Sequence, residues 1–558
     1  MFSITISVGF SQEKYPTNYF RSPLDIPIVL SGSFGELRSN HFHSGLDIKT
    51  QGKEGLKIYA PADGYVSRIK VQQFGYGKAL YITHPNGYTT VYGHLKKFNS
   101  KIQEYVKSIQ YKKENYSTGN IFPDPEMFLV KKGDIIAFSG DTGGSGGPHL
   151  HYEIRNTKTE HIINPMHFGL IPKDDKSPTF LKLMAYPLGN DSRINQSTKN
   201  VILPIKKGKD NIYTTNRISA SGTIGFSAIV FDRLNDAWNK NGIYSLEMKV
   251  NGKRHFYHDV ETFSFSESKF INLHIDYSHY GQFRKKFQRT FKVAANKLNT
   301  YKELINNGKL EVKKGFNYKV EIIAKDFKGN SSTVKVPIIG KESNTLFIQK
   351  KDTTIYRIIK DKFNKFTQKG ITIAFPKNTF YEDLFLDFKV DSSMVKIHTP
   401  TIPLDKSFTL TFDTSQLSKE EKKVMYIANM NNKRYPRYVR TVKKENKFYT
   451  TTKSLGSYKL LSDKEKPKIN LVNFKDNQWL SKLNFLKVKI KDKKSGIKSY
   501  KAYIDDEWIL MEYNHKKGIL SYDFKDKTLI GSKHLFQILV SDNVGNTNTL
   551  SATFYRKD

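Results

Sequence analysis

The 558-residue chain contains no cysteine. Disulfide bridges, thiolate metal sites and cysteine nucleophiles are thereby excluded, and His, Asp and Glu are left as the possible metal ligands. No stretch of about 18 apolar residues occurs, so no transmembrane helix is expected. Acidic residues are scarce, 53 against 91 lysines and arginines, for a net charge of +38. Residues 1–171 carry 19 basic and 14 acidic side chains, whereas the remaining 387 carry 72 and 39. Histidine runs the other way, with eight of 15 in the first 171 residues. A basic rear attracts anionic polymers such as envelope glycans. Drift toward Lys, Asn, Ile and Tyr, as AT-rich genomes produce, gives the same composition. An interleaved aromatic and basic recognition motif is missing, so nucleic acid is not an expected partner.

What is present suffices for several hydrophobic cores, with 38% hydrophobic and 13% aromatic residues, and the length calls for three or four domains. The opening MFSITISVGFSQ reads as the back half of a secretory signal, because it lacks the basic n-region and the full apolar core. Its start would lie upstream, and a first strand is the other reading. Residues 1–20 are therefore assigned to a signal remnant and leader. From residue 21 to 171 the chain is strand-rich, with turn signals at 62–64, 75–77 and 85–87. An insertion at 99–127 interrupts it, and Ile102, Tyr105, Val106 and Ile109 within it are spaced for a short helix.

The rear repeats itself. NGIYSLEMKVNGK (241–253) matches SGIKSYKAYIDDE (495–507), and each is followed by an Asp-x-x-Gly-Asn turn, at 326–330 and 542–546. Each copy reads as an antiparallel sandwich of immunoglobulin type, one over 172–345 with an insertion that looks helical at 283–307, the other over 463–558. A strand-rich accessory unit fills 346–462. The fold class expected is mainly β: an N-terminal antiparallel sheet or barrel-sandwich domain followed by β-sandwiches. Nothing in the rear gathers histidines and carboxylates at ligand spacing, so it is expected to consist of spacer and binding modules.

The front does concentrate chemistry. In GGSGGPHLHYEI (143–154) the two histidines of an extended strand, His149 and His151, project to one face about 7 Å apart. They can share a metal ion, or one can bind it while the other handles protons. Upstream, His43 and Asp47 flank Gly45, and a bend there brings imidazole and carboxylate onto one ion. One histidine of the HLH strand would complete three ligands and leave a fourth position open for water, the layout of a catalytic zinc. His94, at the end of another strand, is a further candidate. His41 could compete with His43 but breaks the spacing to Asp47; His84 and His161 read as ordinary polar residues at strand ends.

Six pieces occur in order: H-x-G-x-D at 43–47, Y-A-P-A-D-G-Y-V at 59–66, G-Y-G at 75–77, G-H-L at 93–95, V-K-K-G-D at 130–134 and G-G-P-H-L-H-Y-E-I at 146–154. Over about residues 30–168 the chain resembles the lysostaphin/LytM-type zinc endopeptidases of bacterial cell walls. The resemblance implies Zn2+ held by His43, Asp47 and His151, with His149 and His94 as the catalytic pair beside the metal and its water. Biotinyl and lipoyl carriers share the strand pattern but have no use for these histidines. An H-E-x-x-H motif is absent, which excludes a helical Glu base of the thermolysin kind. The implied activity is hydrolysis of peptide bonds in peptidoglycan stem peptides or cross-links by a monomer in the periplasm, outside the cell or in its envelope. A non-catalytic scaffold that binds peptidoglycan or activates another wall hydrolase is the alternative. The insertion at 99–127 is expected to form a wall or lid over the substrate groove.

Overall fold

A computed structural model describes residues 14–342, 353–391 and 394–557. Most of the signal-like leader and the 345/346 boundary lie outside the described residues. The chain is mainly β, 44% strand and 8% helix.

In the front, seven strands form one antiparallel path in the order Leu30–Gly32, Leu46–Lys49, His149–Asn156, Tyr88–Gly93, Lys78–Thr83, Gly64–Val71 and Gly119–Ile121. Lys57–Tyr59, Ile135–Phe138 and Lys97–Phe98 make a second, small sheet. Alternation sorts the side chains: Leu46, Ile48, Ile82, Tyr92, Leu150, Tyr152 and Ile154 turn into the main core. The opposite face buries a smaller group, Ala79, Tyr81 and Val91, with Tyr76 packed on it. On the histidine strand the two faces differ sharply: Leu150, Tyr152 and Ile154 face the main core, while His149, His151, Glu153 and Arg155 alternate with them.

The insertion forms the helix Ser100–Lys113, N-capped by the Asn99 side chain and buried along Ile102, Val106 and Gln110. Gly119–Ile121 extends the sheet beside Gly64–Val71, at the end of the path away from the histidine strand. The helix's outer face meets the C-terminal sandwich: Lys107 pairs with Asp526, and Tyr111 lies edge-on to Trp508 at 5.3 Å.

Behind the front, β-sandwiches follow, with cores built from residues 180–338, 358–458 and 474–554. In both repeat copies the strand after Gly-Ile (Ser245–Val250, Ile497–Ile504) pairs with the strand before the Asp-x-x-Gly-Asn turn (Asn317–Lys325, Lys533–Asp542). The helix expected at 283–307 is absent. Three short helices lie earlier, at Phe265–Ser268, Ile271–His274 and Tyr277–Phe283, and Gln288–Arg289 and Tyr301–Leu304 are strands. The apolar spacing there reflects Phe287 and Phe291 packing under the sandwich against Met184 and Tyr186, not a helix face.

The rear is also more than spacers. Ile162–Ile163 pairs with Thr262–Phe263, and Phe263, Phe270, Ile271 and Leu273 belong to the same buried cluster as Phe34 and Phe42 of the front.

Candidate metal centre

Strand register assembles the site. His151 sits opposite Asp47 on one neighbouring strand and opposite Gly93 on the other, so His94 follows directly beside it. Cross-strand partners on one face stand about 5 Å apart at Cβ, which brings the imidazole and carboxylate together. His43 reaches them through a tight bend at Gly45, where a Cβ would lie 2.4 Å from the carbonyl oxygen of Tyr152. His94 itself takes a left-handed backbone, φ +61°, a conformation that costs energy in a non-glycine residue.

Three donor atoms converge. His43 Nε2 lies 3.0 Å and His151 Nδ1 2.9 Å from Asp47 Oδ1, and the two ring nitrogens are 3.2 Å apart. Zinc–ligand bonds of about 2.0–2.1 Å at tetrahedral angles set donors roughly 3.3 Å apart. The other nitrogen of each ring has an acceptor: His43 Nδ1 donates to the Ser33 carbonyl at 2.8 Å, and His151 Nε2 donates to Glu153 Oε1 at 2.9 Å. Both rings therefore aim lone pairs at a carboxylate oxygen, an arrangement that a cation between them satisfies. Without a cation there, the bonds to Asp47 and Glu153 outweigh burial and raise His151 to about 9, so Nδ1 carries a proton toward Asp47; a bound cation takes the place of that proton. Asp47 shows the same contest: burial favours its neutral form, yet His43, His149 and His151 hold it well below the usual carboxylate range.

His149 and His94 flank the three donors. His149 Nδ1 donates to the Gly147 carbonyl at 2.8 Å, and its Nε2 stands 3.4 Å from Asp47 Oδ1. His94 Nδ1 donates to the Thr142 carbonyl at 2.8 Å. The two rings are 4.8 Å apart at their centroids. A carbonyl only accepts, so in each ring Nδ1 carries a proton and Nε2 is the nitrogen turned toward the three donors. Burial, then the neighbouring His151 and His149, push His94 down to about 3, so it is neutral near pH 7.

All five residues singled out in the sequence are thus gathered at one site. His41 is exposed, and its Nδ1 donates to the Ser39 carbonyl. His84 is buried elsewhere, between the Asp63 carbonyl and Thr90 Oγ1.

Residues 41–111 match peptidase family M23. The chain is 38% identical over 124 residues to an uncharacterized metalloprotease of Haemophilus influenzae, covering 22% of this chain and 20% of that protein. It is 34% identical over 119 residues to the DD-carboxypeptidase/endopeptidase Mpg of Neisseria meningitidis serogroup B, covering 21% of each. It is 33% identical over 155 residues to the peptidoglycan DD-endopeptidase ShyC of Vibrio cholerae, covering 27% of this chain and 28% of that one. The front is a LytM-type M23 peptidase domain. The chain spans a fifth to about a quarter of the length of these relatives. Residues 356–463 match a Zu5-like domain.

Sequence reasoning missed the groups that hold the M23 site in place. Glu153 is wholly buried and accepts from His151, from Ser44 Oγ at 2.6 Å, from the Tyr76 hydroxyl and from Arg155 Nε at 2.7 Å. Despite its burial, Arg155 and His151 hold its carboxyl far below the usual range. Arg38 donates to Asp47 Oδ2 at 3.2 Å, leaving Oδ1 to the two imidazoles. Glu153 was legible: it lies two residues beyond His151 on the same strand, hence on the same face. The carbonyls of Ser33, Thr142 and Gly147 had no side-chain signature to find.

Proposed function

We propose that the chain is a zinc metalloendopeptidase of the bacterial cell envelope, acting in the periplasm or outside the cell on peptide bonds of peptidoglycan. The observation that carries this reading is the convergence of His43 Nε2, Asp47 Oδ1 and His151 Nδ1 beside two imidazoles, His149 and His94, whose Nδ1 atoms are each held by a backbone carbonyl. His43, Asp47 and His151 would hold the zinc, and the donor set of two nitrogens and one carboxylate oxygen fits it. Bound there, zinc supplies Lewis acidity toward the scissile carbonyl and toward water. His149, the nearer of the pair to Asp47, takes a proton from water at Nε2 and returns it to the leaving amine. His94, kept neutral by burial, presents Nε2 as an acceptor beside it. Glu153 fixes the tautomer of His151, and the Ser33 carbonyl that of His43.

The boundaries proposed for the units are 21–171 for the peptidase, 172–345 and 463–558 for immunoglobulin-like sandwiches, and 346–462 for the accessory unit. The basic rear would hold a monomeric enzyme near anionic wall polymers. The test is hydrolysis of purified, cross-linked peptidoglycan by the zinc-loaded chain, beside His149→Ala and a chelated control, with products weighed by mass spectrometry. New free amines that vanish in both controls are expected. No cleavage by a chain holding one zinc would refute the activity and favour a scaffold or activator.

A further inference from the structure

A second constellation of ionisable groups lies away from the histidines. Asp174 comes from the segment leaving the front domain, Asp232 from the end of the strand Ile218–Phe231, and Asp326 from the turn before the strand Ser331–Gly340. One carboxylate oxygen of each falls within 4.8 Å of the others. All three are buried, with exposures of 9%, 2% and 4%. The chain has 91 lysines and arginines, yet among the described residues none forms an ion pair with these aspartates. Turn capping explains part of the cluster: Asp326 accepts from the Asn330 backbone and side chain, and Asp174 from the Lys176 backbone. It does not explain Asp232, whose Oδ1 is buried without a hydrogen-bond partner among the described residues. Leaving such an oxygen unsatisfied beside two other carboxylates is costly.

The three aspartates line one cavity of about 30 Å³, shared with Ser33, Asn164 and Met166 of the front and Asn241 of the sandwich. That is room for an ion and about one water. Burial, with neighbouring carboxylates, raises Asp174 to about 6 and Asp232 to about 7, as expected of groups whose counter-charge is missing.

The same triad recurs in the second repeat copy. Asp463, Asp492 and Asp542 also bring one oxygen each within 4.8 Å, and their positions correspond one for one. Asp174 and Asp463 stand four residues before Pro178 and Pro467; Asp232 and Asp492 end the strand before the Gly-Ile repeat; Asp326 and Asp542 open the Asp-x-x-Gly-Asn turn. The loop after the middle aspartate differs greatly, with Asn241 nine residues on in one copy and Ser495 three residues on in the other. Three carboxylates have kept their places while the chain around them changed.

We propose that Asp174, Asp232 and Asp326 bind a Ca2+ ion at the junction between the peptidase domain and the first sandwich. An all-oxygen set with three carboxylates selects a hard divalent cation over zinc. Three carboxylates from separate segments suit Ca2+, which takes six to eight oxygens in flexible geometry, better than Mg2+, which keeps several waters and is held by one or two carboxylates. The ion would fasten the exit segment to two edges of the sandwich. It would also brace the metal centre, because Ser33 lines this cavity and its carbonyl fixes His43.

The experiment uses the full chain with zinc restored after removal of other metals. Ca2+ is titrated by calorimetry, bound calcium is counted by elemental analysis, and thermal unfolding is followed with and without about 1 mM Ca2+. Wild type should bind Ca2+ and its first unfolding transition should rise by roughly 5 °C. Asp232→Asn should bind one Ca2+ fewer per chain and lose that rise, while unfolding in metal-free buffer no earlier than wild type, since a repulsive charge is gone. Asp174→Asn, changed in the linker, should lose the same ion and serves if the first variant does not fold. No calcium uptake by wild type, or an undiminished count in both variants, overturns the site. Equal affinity for Mg2+ overturns the choice of ion.

Discussion

Glu153→Gln separates a positioning role from a packing role. The carboxylate is fully buried and serves two sides: Oε1 accepts from His151, Ser44 and Tyr76, and Oε2 accepts from Arg155. Glutamine has the same shape but only one accepting atom, so either His151 or Arg155 must face an NH2 group. Removing one partner of a buried ion pair costs about 3–5 kcal/mol. Arg155 keeps Glu160 at 2.7 Å and the ring of Phe265 at 4.7 Å, so the lower end, about 3 kcal/mol, is expected here. The second effect falls on His151. Without a firm acceptor at Nε2, its Nδ1 lone pair is no longer committed to the metal, and loss of such a partner weakens metal affinity about 10–100-fold. Zinc affinity is measured by competition with a chromogenic chelator, and stability by urea unfolding of the metal-free protein. A stability loss of the expected size with zinc affinity within about twofold of wild type would refute the positioning role and leave Glu153 as a packing residue.

Two further outcomes follow from the same geometry. His84 is held down to about 4, chiefly by burial, against an ordinary value near 6.5. The unfolded chain binds the extra proton first, so this contribution to stability is complete above about pH 6.5, is lost as pH falls toward 4, and amounts to about 3 kcal/mol. His84→Gln should flatten that part of the unfolding pH profile, and an unchanged slope would contradict it. At Gly77, with φ +64°, a Cβ would lie 2.4 Å from Thr142 Oγ1 and 2.5 Å from the Thr142 backbone carbon. Since the Thr142 carbonyl holds His94, Gly77→Ala should cost at least about 1 kcal/mol and lower kcat while zinc remains bound; a wild-type kcat would show that the loop is not needed to place His94.

Period two placed His149 and His151 on one face and Gly45 marked the bend between His43 and Asp47, but the set of five, His94 included, was legible only through the resemblance carried by the six ordered motifs. The same alternation, carried one step past His151, points to Glu153. The carbonyl partners of the rings were not legible, since any residue supplies a carbonyl. Apolar spacing misled at 283–307, where Phe287 and Phe291 follow the contour of a neighbouring sandwich instead of a helix face. At 99–127 the helix could be read from Ile102 and Val106, but its docking partner lies about 400 residues on, at Trp508 and Asp526. Local pattern carries no information at that distance.

Those long-range contacts bear on the chemistry because they reach both loops that present the site. On one side, the Phe42 amide, next to His43, donates to Ser268 Oγ at 2.7 Å, and Lys286 reaches the carbonyl of Leu37, next to the Arg38 that holds Asp47. On the other, Lys516 bonds the carbonyl and carboxylate of Asp141 at 2.7 and 2.8 Å, next to the Thr142 that holds His94. The exposed ion pairs among these contribute little singly. The buried amide of Phe42 is different, because an orphaned donor costs about 1–3 kcal/mol. Stripped of the rear, the front would also uncover the apolar surface that Phe34 and Phe42 now share with Phe263 and Phe270. The two loops that place the donors are therefore fixed from outside the domain that contains them, and the rear sandwiches form part of the frame of the metal centre.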